Sequence, residues 1–259
     1  MDSAKYRLAA RHSLSSLLGL GRLVLKHPAF AARLLIRRLH YFRTRQFEGS
    51  LLTPELCLIE TPDMLISYWC IFVERELFSA QWARPLQQAQ RPVIVDVGAN
   101  AGIFSLFAHT VNPKAKIIAF EPLPAMQERL RALKERTGMD FEWHQQAASD
   151  HIGEAVFESP HGYDGISRVC TGQPTGQTFR VETTTLDTML AGRDIDLIKI
   201  DVEGFECQVL AGAKRTIERT RFLIVEAQSA QQIEKVTEAV GPGWARSILG
   251  PSDVMFYRP

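Results

Sequence analysis

The stretch VIVDVGANAGIFSL, Val93–Leu106, decides the fold. An apolar run carries Asp96 close to its end, Gly98 and Gly102 bracket a short turn, and an apolar segment with helical spacing follows. This is the pattern of strand, loop and helix. The same rhythm continues along the chain, with candidate strands at 93–97, 116–120, 141–146, 195–200 and 221–226 and helical patterns over 101–111 and 124–136. Alternating strands and helices predict an α/β domain built on a parallel sheet with helices on both faces. The tail Asp253–Pro259 reads as a last strand at or near the sheet edge. Between Ala155 and Val181 the pattern breaks into a Gly-rich stretch with many turn residues, read as a β-hairpin and loop inserted near the strand ends.

In an open α/β sheet, ligands bind beyond the carboxyl ends of the strands, where backbone amides and helix N-termini are free. Asp96 ends the first strand, and the glycines beside it let the chain turn close to a ligand. The spacing Gly-Ala-Asn-Ala-Gly does not meet the G-x-G-x-x-G pattern of dinucleotide enzymes. On the second strand, KIIAFEP places Glu121 at the carboxyl end, where an acid can accept both hydroxyls of a ribose, and Pro122 stops the strand. The alternatives are a helix N-cap for Asp96 and a surface acid for Glu121.

The fourth strand carries DLIKIDVEGFE, Asp196–Glu206, in which Lys199, Asp201 and Glu203 alternate with Ile198, Ile200 and Val202. Charged groups around a buried strand end are costly to desolvate unless they pair or face a cleft. They are therefore candidates for chemistry, with a structural ion-pair network as the alternative.

Taken in order, DVGANAGIFSL (Asp96–Leu106), FEPLPAMQERL (Phe120–Leu130), AASD (Ala147–Asp150), GISR (Gly165–Arg168), TTLD (Thr184–Asp187), DLIKIDVEGFE with VLAGA (Val209–Ala213), and LIVEAQ (Leu223–Gln228) resemble the FkbM family of S-adenosylmethionine-dependent methyltransferases. The resemblance covers roughly 93–228. It implies a Rossmann-like methyltransferase fold, a mostly parallel seven-stranded sheet ending in an antiparallel hairpin, and S-adenosyl-L-methionine as cofactor. It assigns Asp96, Gly98, Ala99, Asn100 and Gly102 to the cofactor loop, Glu121 with Pro122 to the ribose side, and Ala147 to the adenine edge. It also implies O-methylation of a hydroxyl on a sugar, glycolipid or natural product. The sequence departs from the family's pattern at Gln145, where Asn is common, and at Arg168, where Ser is common.

A hydroxyl is a poor nucleophile at neutral pH, and a carboxylate placed to take its proton speeds such reactions. Asp201 and Glu203 are the expected catalytic bases, with His144, His161 and Glu226 of second rank. No ligand set for a metal is specified by spacing. Two rival readings are a nucleic-acid methyltransferase gripping with a basic arm, and a cofactor-binding scaffold without catalysis. Base-amine methylases carry Asn or Asp followed by Pro-Pro-aromatic after the fourth strand, where this chain has DVEG.

Outside the resemblance, residues 1–45 hold ten Lys/Arg against a single acid, Asp2, although the whole chain of 259 residues has a net charge of only +1. Such asymmetry marks an interaction segment. Residues 3–27 read as one helix, and Pro28 closes it or opens another carrying Leu35, Leu39 and Phe42. A solvated arm or partner-binding helix pair, an interfacial helix on an anionic membrane, and a nucleic-acid grip are the readings of this segment. Leu14–Leu25 contains Arg22 and is too short to span a bilayer. Four scattered cysteines without a C-x-x-C pair argue against a zinc or disulfide framework. A cytoplasmic location, with peripheral contact at the inner membrane face, is the expectation. The expected domains are a basic helical arm over 1–50, a hairpin and helix over 51–90, and the methyltransferase domain over 91–259. Within 51–90, Thr61-Pro62-Asp63 is expected as a hairpin turn and Glu74–Gln88 as a helix. Tyr68, Trp69, Phe72 and Trp82 either line a pocket or pack in a core.

Overall fold

The computed structural model describes residues 14–47, 49–159, 168–169 and 177–258. The chain divides into two units at the Phe78–Ser79 junction.

The C-terminal unit opens with helix α4 (Ala80–Gln88) and is built on a seven-stranded sheet. Its strands are β3 (Val93–Val97), β4 (Lys116–Phe120), β5 (Asp140–His144), β10 (Ile195–Ile200), β11 (Thr220–Glu226), β12 (Ala245–Ile248) and β13 (Asp253–Tyr257), in the order β12-β13-β11-β10-β3-β4-β5. The run from β11 to β5 is parallel, while β13 is antiparallel to both its neighbours. The sheet order reverses at β3 and β10, so the crevice beyond their carboxyl ends is the topological switch point. A second sheet in the order β6-β9-β7-β8 comprises β6 (Ala147–Ala148), β7 (Gly153–Ser159), β8 (Arg168–Val169) and β9 (Gln177–Thr184). The antiparallel β7–β9 pair is the inserted hairpin expected from the Gly-rich stretch. Residues 160–167 and 170–176, His161 among them, lie outside the described residues.

Period-2 alternation sorts the strand residues into two faces. On one face Val95, Val97, Ile118, Phe120, Ile198, Ile200, Leu223 and Val225 form a buried core with four helices. These are α7 (Leu186–Met189), α8 (Glu206–Ala211), α9 (Lys214–Glu218) and α10 (Ala230–Val240). The other face carries Asp96 and Lys199, and α5 (Ile103–Val111) lies over them through Ser105 and Phe104. Helix α6 (Pro124–Thr137) packs against β5. Trp82 of α4 is fully buried, edge-on to Phe107 of α5, which assigns it to the core.

The N-terminal unit contains α1 (Leu14–Lys26), α2 (Pro28–Thr44), a hairpin of β1 (Leu51–Leu52) and β2 (Leu58–Ile59), and α3 (Pro62–Tyr68), which widens into a π-helical stretch at Trp69–Glu74. Pro28 opens a helix, as proline does where its missing N–H costs nothing. Residues 1–13, which include the expected start of the first helix at residue 3, lie outside the described residues. The expected turn at Thr61–Asp63 is corrected. Thr61 accepts a hydrogen bond from Met64 N, Pro62 takes the first helical position and Asp63 the first turn, so the triplet starts a helix and the hairpin lies before it. The helix expected over Glu74–Gln88 is also shorter and begins at Ala80, capped by the Ser79 side chain. Tyr68 and Trp69 are buried, and Phe72 stacks on Tyr68 at 4.7 Å, so these aromatics form a core within this unit. Arg38 is buried with them, its guanidinium 4.1 Å from the centre of the Trp69 ring.

Candidate functional site

Asp96 is the fourth residue of β3 and is completely buried. Register places Lys199 of β10 directly beside it, because each is the in-facing residue at the same level of adjacent parallel strands. Ser105, one turn into α5, donates to Asp96 Oδ2 at 2.6 Å. Asp96 Oδ1 lies 4.0 Å from Lys199 Nζ and has no hydrogen-bond partner among the described residues. Burial raises the Asp96 carboxyl above its ordinary range, against the pull of Lys199 and Ser105. Lys199 Nζ donates to Asp201 Oδ2 at 3.0 Å and lies 5.6 Å from the centre of the Phe104 ring. Burial alone would depress Lys199, but the carboxylates of Asp201 and Asp96 more than offset it, and the ammonium is held above its usual range.

The loop after β3 runs against the loop after β10. Gly98 and Ala99 donate their N–H groups to Phe120 O at 3.0 and 3.2 Å, tying the turn to the end of β4. Gly98 has φ +80, and a Cβ built there would stand 1.9 Å from Asp201 O. Only glycine fits this left-handed position beside another strand's backbone. Asn100 also has positive φ, and Gly102 is the left-handed residue that opens α5.

Glu121 follows β4 and is 4 % exposed. Its Oε2 accepts from Asn100 N at 2.7 Å and its Oε1 from Leu123 N at 2.9 Å. Burial pushes its pKa up to about 7 despite those two backbone donors. A carboxylate oxygen offers two acceptor sites, so each Glu121 oxygen retains one for a ligand hydroxyl. Pro122 follows directly and has no N–H to compete for those oxygens. Ala147 lies on β6, three residues after β5, paired with Thr183 of β9.

Asp201 is anchored by its N–H to Val97 O at 3.0 Å, so its main chain continues the sheet beside the Gly98 turn. Its side chain is 30 % exposed, which leaves it accessible while paired to Lys199. Glu203 adopts φ +53 in the tight loop that follows. The structure thus brings Asp96, Gly98, Lys199 and Asp201 together, with Asn100 and Glu121 bonded at the next strand end. His144 ends β5 beside Glu142, 3.3 Å away. Glu226 ends β11 opposite Asp253 and accepts from Gln228 Nε2 at 3.1 Å.

Several residues inside the quoted motifs support this arrangement although the sequence reading gave them no role. Glu206 Oε1 accepts from Val202 N at 3.3 Å and Gly204 N at 3.0 Å, holding the loop that carries Glu203. Asp196 Oδ2 accepts from Val93 N at 2.8 Å, clamping the start of β3 to β10. Asp187 Oδ1 accepts from Thr216 N and Oγ1 at 2.8 and 2.9 Å, capping α9. The signal for Glu206 was present as a carboxylate two residues after a turn glycine. Ser105 lies nine residues after Asp96 in the same motif, and only the return of α5 over the sheet joins them.

Residues 96–241 match the methyltransferase FkbM domain. The chain belongs to the FkbM methyltransferase family. Among relatives of this FkbM-family chain, the hexuronic acid methyltransferase AglP of Haloferax volcanii is 30 % identical over 158 residues, covering 59 % of this chain and 63 % of AglP. The 2-O-methyltransferase NoeI of Sinorhizobium fredii is 33 % identical over 164 residues, covering 55 % and 66 % of the two chains. The 31-O-demethyl-FK506 methyltransferase FkbM of Streptomyces tacrolimicus is 28 % identical over 220 residues, covering 71 % and 85 %. The chain spans just under two thirds of the length of the first two relatives. The Rossmann-like fold and seven-stranded sheet expected from the family resemblance are those observed.

Proposed function

We propose that this chain transfers the methyl group of S-adenosyl-L-methionine to a hydroxyl of a sugar, glycolipid or natural-product acceptor. The observation that carries the reading is Glu121, a buried carboxylate fixed by two backbone N–H groups at the end of β4 with one acceptor site left on each oxygen. A vicinal diol such as a ribose fits that pattern. Asp96 Oδ1, buried and without a hydrogen-bond partner among the described residues, is a second acceptor near the end of the neighbouring strand. When bound, the donor supplies an electrophilic methyl on a sulfonium. The names of the relatives, a hexuronic acid methyltransferase, a 2-O-methyltransferase and a 31-O-demethyl-FK506 methyltransferase, support an oxygen acceptor.

In this reading Gly98, Ala99, Asn100 and Gly102 shape the donor loop, Pro122 holds Glu121 at the strand end, and Ala147 borders the adenine. Asp201 or Glu203 takes the proton of the acceptor hydroxyl. Lys199 positions Asp201 through the 3.0 Å ion pair. Glu203 sits on the left-handed turn that Glu206 holds. Turnover of Asp201→Asn and Glu203→Gln, measured by transfer of labelled methyl into fractionated glycan, lipid, protein and nucleic-acid pools, tests the reading. One of the two variants should lose about 10²- to 10⁴-fold in kcat with donor affinity retained. Label entering nucleic acid instead of glycan or lipid, or two variants with normal turnover, contradicts it.

A further inference from the structure

We propose that the outer face of α1 and α2 docks this protein on an anionic lipid bilayer, lying in the headgroup region without crossing it. Both helices are amphipathic in an unusual sense, because the face turned away from their unit is apolar and basic together. The inner side of α2 is occupied by Phe30, Ala31, Leu34, Arg38 and Tyr41, all buried. On the outer side Leu17, Leu18, Val24, Leu25, Ile36 and Leu39 are exposed, Leu25 to 86 % and Ile36 to 64 %. They are six of the eleven large apolar side chains exposed among the described residues, so over half of that surface sits on two helices. Exposed Arg22, Lys26, Arg33 and Arg43 interleave with them, and no Asp or Glu occurs from residue 14 to 47. Near the end of α2 a cleft of about 230 Å³, lined by Ile36, Arg37, His40, Gln46 and Phe47, adds donors suited to a headgroup phosphate.

Charge selects the occupant. A second copy of this chain pairing through the same face would set cations against cations with no acid between them. Nucleic acid would use the cations and leave the leucines and isoleucine in water. An anionic bilayer uses both: aliphatic side chains enter the acyl boundary while Arg and Lys reach back to the phosphates. Helix α1 has 13 residues, and no helix among the described residues is long and apolar enough to cross a membrane. Surface attachment is the geometry that remains for these two helices.

Co-sedimentation of the full chain with phosphatidylcholine vesicles, with and without phosphatidylglycerol, tests the proposal, and its readout involves no methyl transfer. Binding should require phosphatidylglycerol and weaken with salt. Each basic residue at an anionic surface strengthens binding about fivefold, so Arg22→Gln with Arg33→Gln should lower the partition coefficient about 25-fold. Leu25→Ser with Ile36→Ser should abolish sedimentation even at low salt. All four side chains are exposed, and unchanged circular dichroism and melting of the variants will show that the fold is retained. No sedimentation of the intact chain, equal binding to both vesicle types, or a face that instead binds RNA or a second copy of the chain overturns the proposal.

Discussion

Lys199 and Asp96 stand opposite each other on adjacent parallel strands, with Nζ 4.0 Å from Oδ1, and the same ammonium donates to Asp201 at 3.0 Å. One buried cation therefore serves two carboxylates at the end of the central strands. Removing the cation leaves the buried Asp96 with the Ser105 hydrogen bond alone to offset its desolvation. Lys199→Met is expected to destabilise the fold by about 3–5 kcal/mol in urea unfolding, and Lys199→Met with Asp96→Asn to recover a large part of that loss. A single-variant loss below about 1 kcal/mol would mean that the pair is solvated in solution.

Gly98 and Gly204 both have positive φ but differ in what surrounds them. A Cβ at Gly98 would meet the Asp201 carbonyl at 1.9 Å, whereas one at Gly204, φ +100, would meet nothing within 4 Å. Gly204→Ala thus carries backbone strain alone, about 1–3 kcal/mol. Gly98→Ala should cost more than that and also weaken donor binding, because the loop must move away from β10. Equal melting temperatures for the two variants would contradict the close approach.

Glu121 gives the apo protein a pH dependence of definite sign. Its carboxyl is pushed up to about 7 by burial, above the ordinary 4.5. The native state therefore binds the proton more tightly than the unfolded chain, and stability falls as pH rises from about 4.5 to about 7. The contribution is on the order of 3 kcal/mol. Between about pH 4.5 and pH 7 the stability of the native protein should fall more steeply with pH than that of Glu121→Gln, and equal slopes in urea unfolding would contradict this. Donor affinity should move the opposite way and tighten as pH rises through 7, since the ionised carboxylate is the stronger acceptor.

Asp187 belongs to the TTLD motif yet lies in a capping role, accepting two hydrogen bonds from Thr216 and one from Arg215 N at 3.2 Å. Asp187→Ala should cost about 1–2 kcal/mol of stability and leave the donor dissociation constant unchanged. A change in that constant without a change in melting would reassign Asp187 to the site.

The sheet was legible because its strands are short apolar runs bounded by turn residues, and β3, β4 and β10 begin and end where those runs do. The N-terminal unit was harder to read. Thr61-Pro62-Asp63 carries both turn and helix-start chemistry, and the preceding strands of two residues each are too short to show alternation. The Trp69–Glu74 stretch is π-helical, a geometry with no signature in period-3.6 patterns. At the site, the acids at strand ends announced themselves by position. Their partners did not: Ser105 reaches Asp96 only when α5 lies over the sheet, and Asn100 N reaches Glu121 only when the loop after β3 meets the end of β4.

Isothermal titration of S-adenosyl-L-methionine into the native protein and Glu121→Gln is the most direct measurement of the donor site. Charge-assisted hydrogen bonds contribute about 1.5–3 kcal/mol, so the native protein should bind and the variant should bind about 10- to 100-fold more weakly with an unchanged fold. A native protein that takes up neither the donor nor its demethylated product, or a folded variant that binds as tightly as the native chain, would contradict the account.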